Sequence, residues 1–148
     1  MADIQFYHLN TPLERVLPKL LEKSYQGGFK TRVKMASEEK AEWMNGMLWT
    51  YNPDSFLPHG TSNDGDGANQ PIYLTAANDN PNEANLMVVT DGSTAEMNDN
   101  VKRVLDIIDS ADEQAVESAR VRQQQYQAQG HAVSCVRQTA TGWEKLSV

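Results

Sequence analysis

The chain has 148 residues, a hydrophobic fraction of 39%, one cysteine and a formal net charge of −7. This length implies one domain over 1–148 that can bury a core without cross-links, and the lone Cys135 excludes an internal disulfide and suits a reducing compartment. The acidic balance argues against direct nucleic-acid binding, and no apolar run approaches the roughly 18 residues of a membrane span. Met1-Ala2-Asp3-Ile4 has no basic segment leading into an apolar run, so no signal peptide is expected and the expected location is cytoplasmic. Charge is uneven along the chain. Over 111–148, Asp112, Glu113, Glu117 and Glu144 balance Arg120, Arg122, Arg137 and Lys145, so the acidic excess lies in residues 1–110.

Ile4 to Leu9 alternates in polarity and reads as a first strand. Thr11, Pro12 and Glu14 have the spacing of a helix start with a capping box, and Leu13, Val16, Leu17, Leu20 and Leu21 form an apolar helical stripe. Pro18 falls inside that stripe, where a kink is expected, and Gly27-Gly28 ends it. Phe29 to Ala36 reads as a second strand, with Val33 and Met35 on one face and Arg32 and Lys34 on the other. Ser37 caps a second helix whose inward face is Ala41, Met44, Met47 and Leu48, with Trp43 at its rim. Pro53 ends it, and Phe56 to His59 reads as an edge strand or extended loop.

Gly60 to Gln70 is rich in Gly, Asp and Asn and reads as a mobile loop. Ser62, Asp64, Asp66 and Gly67 have calcium-loop spacing, but Tyr73 stands where the closing Glu is required. Short strands follow at Pro71–Thr75 and Asn85–Thr90, the second apolar throughout and therefore central in a sheet. Ala95 to Asn98 suits one helical turn, Arg103 to Ile108 a strand, and Ala111 to Gln129 a helix with Ala115, Ala119, Arg122 and Tyr126 along one side. Ala132 to Val136 is the last expected strand, followed by a tail carrying Trp143. This order predicts an α/β fold: a mostly parallel sheet with helices on both faces, like mononucleotide-binding proteins.

The first strand-to-helix turn, Leu9-Asn10-Thr11-Pro12, has no glycine, and Pro12 removes a backbone donor, so the phosphate loop of such folds is missing. His8, His59 and His131 have no metal-ligand spacing with Cys or carboxylates, and neither Cys135 nor Ser55 has a base in view. No catalytic residue, cofactor or metal is expected. Two binding surfaces remain: an aromatic one around Trp49 and Phe56, and the C-terminal helix bearing Arg120 and Arg122. Core packing is the competing reading for the aromatics.

Several segments together resemble the chi subunit family of bacterial DNA polymerase III. They are Phe6-Tyr7-His8-Leu9, Gly28 to Val33, Ser37 to Ala41, Pro71-Ile72, and Ala119-Arg120 with Tyr126 and Gly130. The most specific block is Leu48-Trp49 followed by Ser55-Phe56-Leu57-Pro58-His59. The resemblance implies a non-catalytic adaptor of the clamp-loader assembly. One face would bind the psi subunit through Trp49, Phe56, Leu57 and Pro58. Another would bind the acidic C-terminal tail of single-stranded DNA-binding protein (SSB) through Arg120, Gln123, Gln124 and Gln127, with Arg120 clamping the terminal carboxylate. The family pattern has basic and aromatic residues where this chain has Val116, Gln123, Gln124 and Gln127, which implies weaker, less salt-dependent attraction unless Arg122 and Arg137 compensate. Two other readings stand beside it. One is a nucleotide-binding enzyme with a ligand near Asn10, Asp91 and Gly92; the other is an interaction domain with different partners.

Overall fold

The computed structural model describes residues 2–51, 57–95, 97 and 99–146. Strand β1 (Asp3–Leu9) leads to helix α1 (Leu13–Gln26), β2 (Thr31–Lys34) and α2 (Glu38–Thr50). Strands β3 (Ile72–Thr75), β4 (Leu86–Val89) and β5 (Arg103–Asp109) precede α3 (Glu113–Ala128), and β6 (Ala132–Thr139) and β7 (Gly142–Leu146) close the chain. They form one seven-stranded sheet in the order β3-β2-β4-β5-β1-β6-β7. Every neighbouring pair is parallel except β6 with β7. The expected α/β architecture is therefore observed, with α1 and α2 on one face and α3 on the other.

Local chemistry explains most element boundaries. The Ser37 hydroxyl accepts from the Lys40 backbone N–H at 3.1 Å and starts α2 as expected. The capping box expected for α1 does not form: Pro12 is its N-cap, without a side-chain cap bond. Thr11 Oγ1 instead donates to Gln138 Oε1 at 3.0 Å, tying the first turn to β6. Helix α1 continues through Pro18, which is buried. The segment after Leu57 follows β3 as an edge: Gly60 bridges Tyr73 in parallel, its N–H bonding the Ile72 carbonyl at 3.0 Å. The loop that follows holds two short turns, Ser62–Asp64 and Gly67–Asn69, the first closed by a capping box between Thr61 and Asp64. The expected helical turn at 95–98 lies partly outside the described residues, as do Pro53 and Phe56. The last strand extends to Thr139, and the expected tail is a true strand, β7, whose Trp143 meets Tyr7 edge-on at 5.1 Å between ring centroids.

The face opposite α1 and α2 is covered in two ways. Over β2 and β3 the loop between β3 and β4 folds across. Arg32 lies on the face opposite Val33 and Met35, as expected, and is fully buried there, donating from Nε to the Asp79 carbonyl and from Nη2 to the Ala77 carbonyl, both at 2.7 Å. The Asp79 carboxylate accepts from Thr75 Oγ1 at 2.6 Å and from the Tyr73 hydroxyl. Burial and the adjacent Asp79 push the Tyr73 phenol up to about 12.

Over β5, β1 and β6 lies α3, packed through Ala119, Arg122 and Tyr126. Arg122 donates from Nε and Nη2 to the two carboxylate oxygens of Asp106 at 2.8 and 2.9 Å, and from Nη1 to Ser118 Oγ at 2.6 Å. Both ion-pair partners are buried. Burial pushes the Asp106 carboxyl up, against the pull of Arg122.

Arg122→Ala leaves Asp106 buried without a counter-ion, and chemical denaturation should report a loss of about 3–5 kcal/mol. Replacing both partners with apolar residues, Arg122→Met with Asp106→Leu, should cost far less. Tyr73 adds an alkaline limit. Its phenol holds its proton in the folded chain up to about 12 but loses it in the unfolded chain near the ordinary value of 10.0. Stability should therefore fall as pH rises through that interval, and Tyr73→Phe should remove this part of the dependence while costing about 1–2 kcal/mol at neutral pH.

Candidate functional site

Helix α3 is positioned from both ends and from beneath. Asp112 Oδ1 accepts the backbone N–H groups of Gln114 and Ala115 at 3.0 and 3.2 Å, which satisfies its N-terminus. Near the C-terminus the Tyr126 hydroxyl accepts from the Ala95 N–H at 3.2 Å. With Arg122 clamped on Asp106, the rotation of the helix is set. The side turned toward β6 and β7 then carries Val116, Arg120, Gln123, Gln124 and Gln127.

These residues form one wall of a groove of about 440 Å³, completed by His8 on β1, Cys135 on β6 and Leu146 on β7. Its floor is apolar, from Val116, Ala119, Cys135 and Leu146. Gln123 is half-buried, and its Oε1 accepts from Cys135 Sγ at 3.4 Å. Gln124 and Gln127 are exposed at the rim. Among the described residues Arg120 is the one permanent cation lining the groove, and its only ion-pair contact is Glu117 at 3.6 Å, with both side chains largely in solvent. Burial holds the His8 imidazole below its ordinary pKa of 6.5, so it is neutral at pH 7.

The structure thus brings together Arg120, Gln123, Gln124 and Gln127, while Arg122 and Arg137 are engaged elsewhere. Arg122 is committed to Asp106, and Arg137 Nη2 pairs with Glu144 Oε2 at 2.5 Å on the hairpin outside the groove. Reading the chain alone had missed His8 and Leu146 as lining residues. No local signal reveals that β1 and β6 are neighbours, and Leu146 sits on a strand read as a tail.

The aromatic surface lies on α2. Trp49 is 56% exposed, its ring 4.7 Å from that of His59. His59 is buried between the carbonyls of Leu57 (Nδ1···O 2.6 Å) and Asn45 (Nε2···O 3.2 Å), which pins the returning chain under the tryptophan. Leu57 is only 6% exposed and belongs to the core beneath α1 and α2, so it supports this surface rather than forming it. Pro58 is half-buried, and Phe56 lies outside the described residues.

A third feature opens at the carboxyl ends of the strands. From β1 the chain crosses by α1 toward β2, and from β5 by α3 in the opposite direction to β6. Such a reversal leaves a crevice. Here it is a cavity of about 570 Å³. Asp91 and Gly92 line it as the nucleotide-binding reading expected. Asn10 does not line it; its N–H and Nδ2 bond Gln138 at 2.9 and 3.2 Å. Glu14, Asp91, Asp109 and Asp112 give the cavity an acidic lining that opposes a phosphate. Among the described residues no cluster of His, Cys, Asp and Glu could hold a metal, and no helix is long and apolar enough to cross a membrane.

Residues 1–134 match the family described as DNA polymerase III chi subunit, HolC. Among curated proteins, the chain is similar to the probable DNA polymerase III subunit chi of Rickettsia prowazekii (strain Madrid E), with 36% identity over 90 residues. That stretch takes up 60% of this chain and 54% of the relative, so the chain spans about half the length of the curated relative it matches. The family match covers every element described above except part of β6 and all of β7. With most of the sheet and all three helices inside that match, the chain belongs to the DNA polymerase III chi subunit family.

Proposed function

We propose that this chain is a non-catalytic accessory subunit of the DNA polymerase III holoenzyme, working in the cytoplasm as an adaptor. In this reading the groove between α3 and the β6–β7 hairpin receives the acidic C-terminal tail of SSB, and the Trp49 surface docks the psi subunit of the clamp loader. The observation that carries it is the composition of the groove: one exposed arginine, Arg120, beside an apolar floor of Val116, Ala119 and Leu146. A chain end with an apolar last residue and a free carboxylate needs both features. The overall charge of −7 fits an adaptor that leaves contact with DNA to its partner. Gln123, Gln124 and Gln127 offer amide hydrogen bonds without charge, so the tail is held less by long-range attraction than by fit.

Calorimetry with a short acidic peptide ending in a free aromatic residue tests the groove. Binding should be modest. Arg120→Ala should weaken it by about 10- to 100-fold, the effect of losing a charged hydrogen bond, while Gln124→Lys with Gln127→Lys should strengthen it and steepen its salt dependence. Affinity should also rise on acidification below the ordinary imidazole value of 6.5, because protonation of His8 adds a cation to the wall, for as long as the peptide's carboxylates stay ionised. An affinity indifferent to Arg120→Ala would remove the groove from the function.

Trp49→Ala tests the other surface by its independence. It should abolish co-purification with psi and leave peptide affinity unchanged. Loss of both activities together would point to misfolding rather than to two docking surfaces.

A further inference from the structure

Beside α1 the sheet carries an open face that neither proposed surface uses. The core beneath α1 and α2 includes no residue of β6 or β7. On β1, Ile4 and Phe6 pack on the α3 side, so Gln5 and Tyr7 are turned to the other. Their register partners on β6, Ser134 and Val136, share that side, and Val136 is in register with Lys145 on β7. These β1 and β6 residues are half-buried, and Lys145 is exposed. Trp143, 41% exposed, stands edge-on to Tyr7. The Tyr7 hydroxyl donates to Gln5 Oε1 at 3.0 Å. At the far corner the Arg103 guanidinium lies 5.5 Å from the centre of the Phe29 ring. The end of α1 that packs on Phe29 carries the exposed Lys23. Burial pushes the Tyr7 phenol up, against the pull of the nearby Arg103 charge. Lys23, Arg103 and Lys145 have no ion-pair partner among the described residues. Asp3, in register with Arg103, is the one carboxylate this face carries on the rows from Asp3 to Tyr7.

We propose that this face docks an internal acidic segment of a protein partner, with an apolar side chain of that segment seated between its carboxylates. The argument for the occupant is charge complementarity. On a chain of net charge −7, three unpaired cations stand around this face against one carboxylate. Tyr7, Val136 and Trp143 supply an apolar seat between Lys145 on one side and Arg103 with Lys23 on the other, and aromatic and arginine side chains are the groups that anchor protein interfaces. A polypeptide is favoured over a nucleic acid by the distribution of the cations. A phosphate backbone needs a continuous basic track, whereas here the cations hold two corners of an otherwise acidic molecule. Trp143 and Lys145 lie beyond residues 1–134 that match the family, so the face is read from this chain itself. It does not rest on the groove reading: Leu146 and Cys135 face the groove from the opposite side of the same hairpin, and that groove is proposed for a free chain end.

The test follows the indole N–H signals of Trp43, Trp49 and Trp143 in proton–nitrogen correlation spectra, assigned with Trp→Phe variants. The probe is a peptide blocked at both ends, acetyl-Glu-Asp-Phe-Asp-Glu-amide. Its lysine counterpart, acetyl-Lys-Lys-Phe-Lys-Lys-amide, and decathymidylate are run in parallel. The acidic peptide should shift the Trp143 signal saturably, leave Trp43 in place, and lose affinity as salt is raised. Arg103→Gln with Lys145→Gln, both at exposed positions, should weaken binding about tenfold. Arg120→Ala should leave it unchanged, because a blocked end offers that arginine no terminal carboxylate. Absence of a Trp143 shift at about 10 mM peptide would overturn the proposal. So would an equal shift from the lysine peptide, or loss of binding in Arg120→Ala, which would place the peptide in the groove. Decathymidylate binding tighter than the acidic peptide would also overturn it, and would assign the face to single-stranded nucleic acid.

Discussion

The Asp106–Arg122 pair is what the C-terminal half of the fold turns on. It places a full charge from the middle of a central strand against one from the middle of a helix, both out of water. Burial pushes the Asp106 carboxyl up even with a guanidinium on both its oxygens, so the cost of desolvation offsets the attraction between the two charges. Its effect is orientational. Successive helical residues are about 100° apart, so a one-residue slip of α3 would swing Arg120 off the groove and bring a neighbour into its place. An apolar contact tolerates such a slip more readily than a two-bond clamp does. The groove at Arg120 therefore depends on a pair of residues that do not line it together.

The two halves of the sheet are finished differently, and this decides where surfaces are available. Helices α1 and α2 cover one face with an aliphatic core that includes Leu17, Leu21, Val33 and Met44. On the other face, the β2–β3 side is sealed by polar loop backbone: Arg32 reaches the carbonyls of Ala77 and Asp79, and Asn82 Nδ2 reaches those of Thr31 and Gln70 at 3.1 and 3.0 Å. Hydrogen bonds satisfied in this way close a sheet face without leaving an apolar patch. The open features collect instead on α2, around α3, and at the strand ends where the chain reverses direction.

Much of this was legible from residues alone, and the failures share a cause. The parallel α/β sheet followed from strand–helix order, the centrality of β4 from its apolar run, the start of α2 from Ser37, and the alignment of Ala119 and Tyr126 along one side of α3 from their spacing. The misreadings all turned on contacts between residues distant in sequence. Thr11 had the spacing of a capping residue but found Gln138. Arg32 alternated outward on its strand but was covered by a loop that no periodicity announces. Arg122 shares with Arg120 the helix surface expected to bind, but a buried carboxylate on β5 claims it. The site was legible as a set of residues on one helix because of the family resemblance. Its other wall was not, because β1, β6 and β7 meet only through the sheet order.

The edges of the sheet restrict how this protein can be recognised. At one end Gly60 bonds alongside β3. At the other the chain turns back as a five-residue antiparallel strand bearing the adjacent opposite charges Glu144 and Lys145. Among the described residues neither end offers a long, flat row of free backbone groups, so recruitment of an incoming strand, which is largely blind to side-chain identity, is disfavoured. Partners must be selected by side chains in grooves and on helix faces. Specificity written that way can be changed one codon at a time, and the run of glutamines on α3 is where such a change would be felt without disturbing the fold.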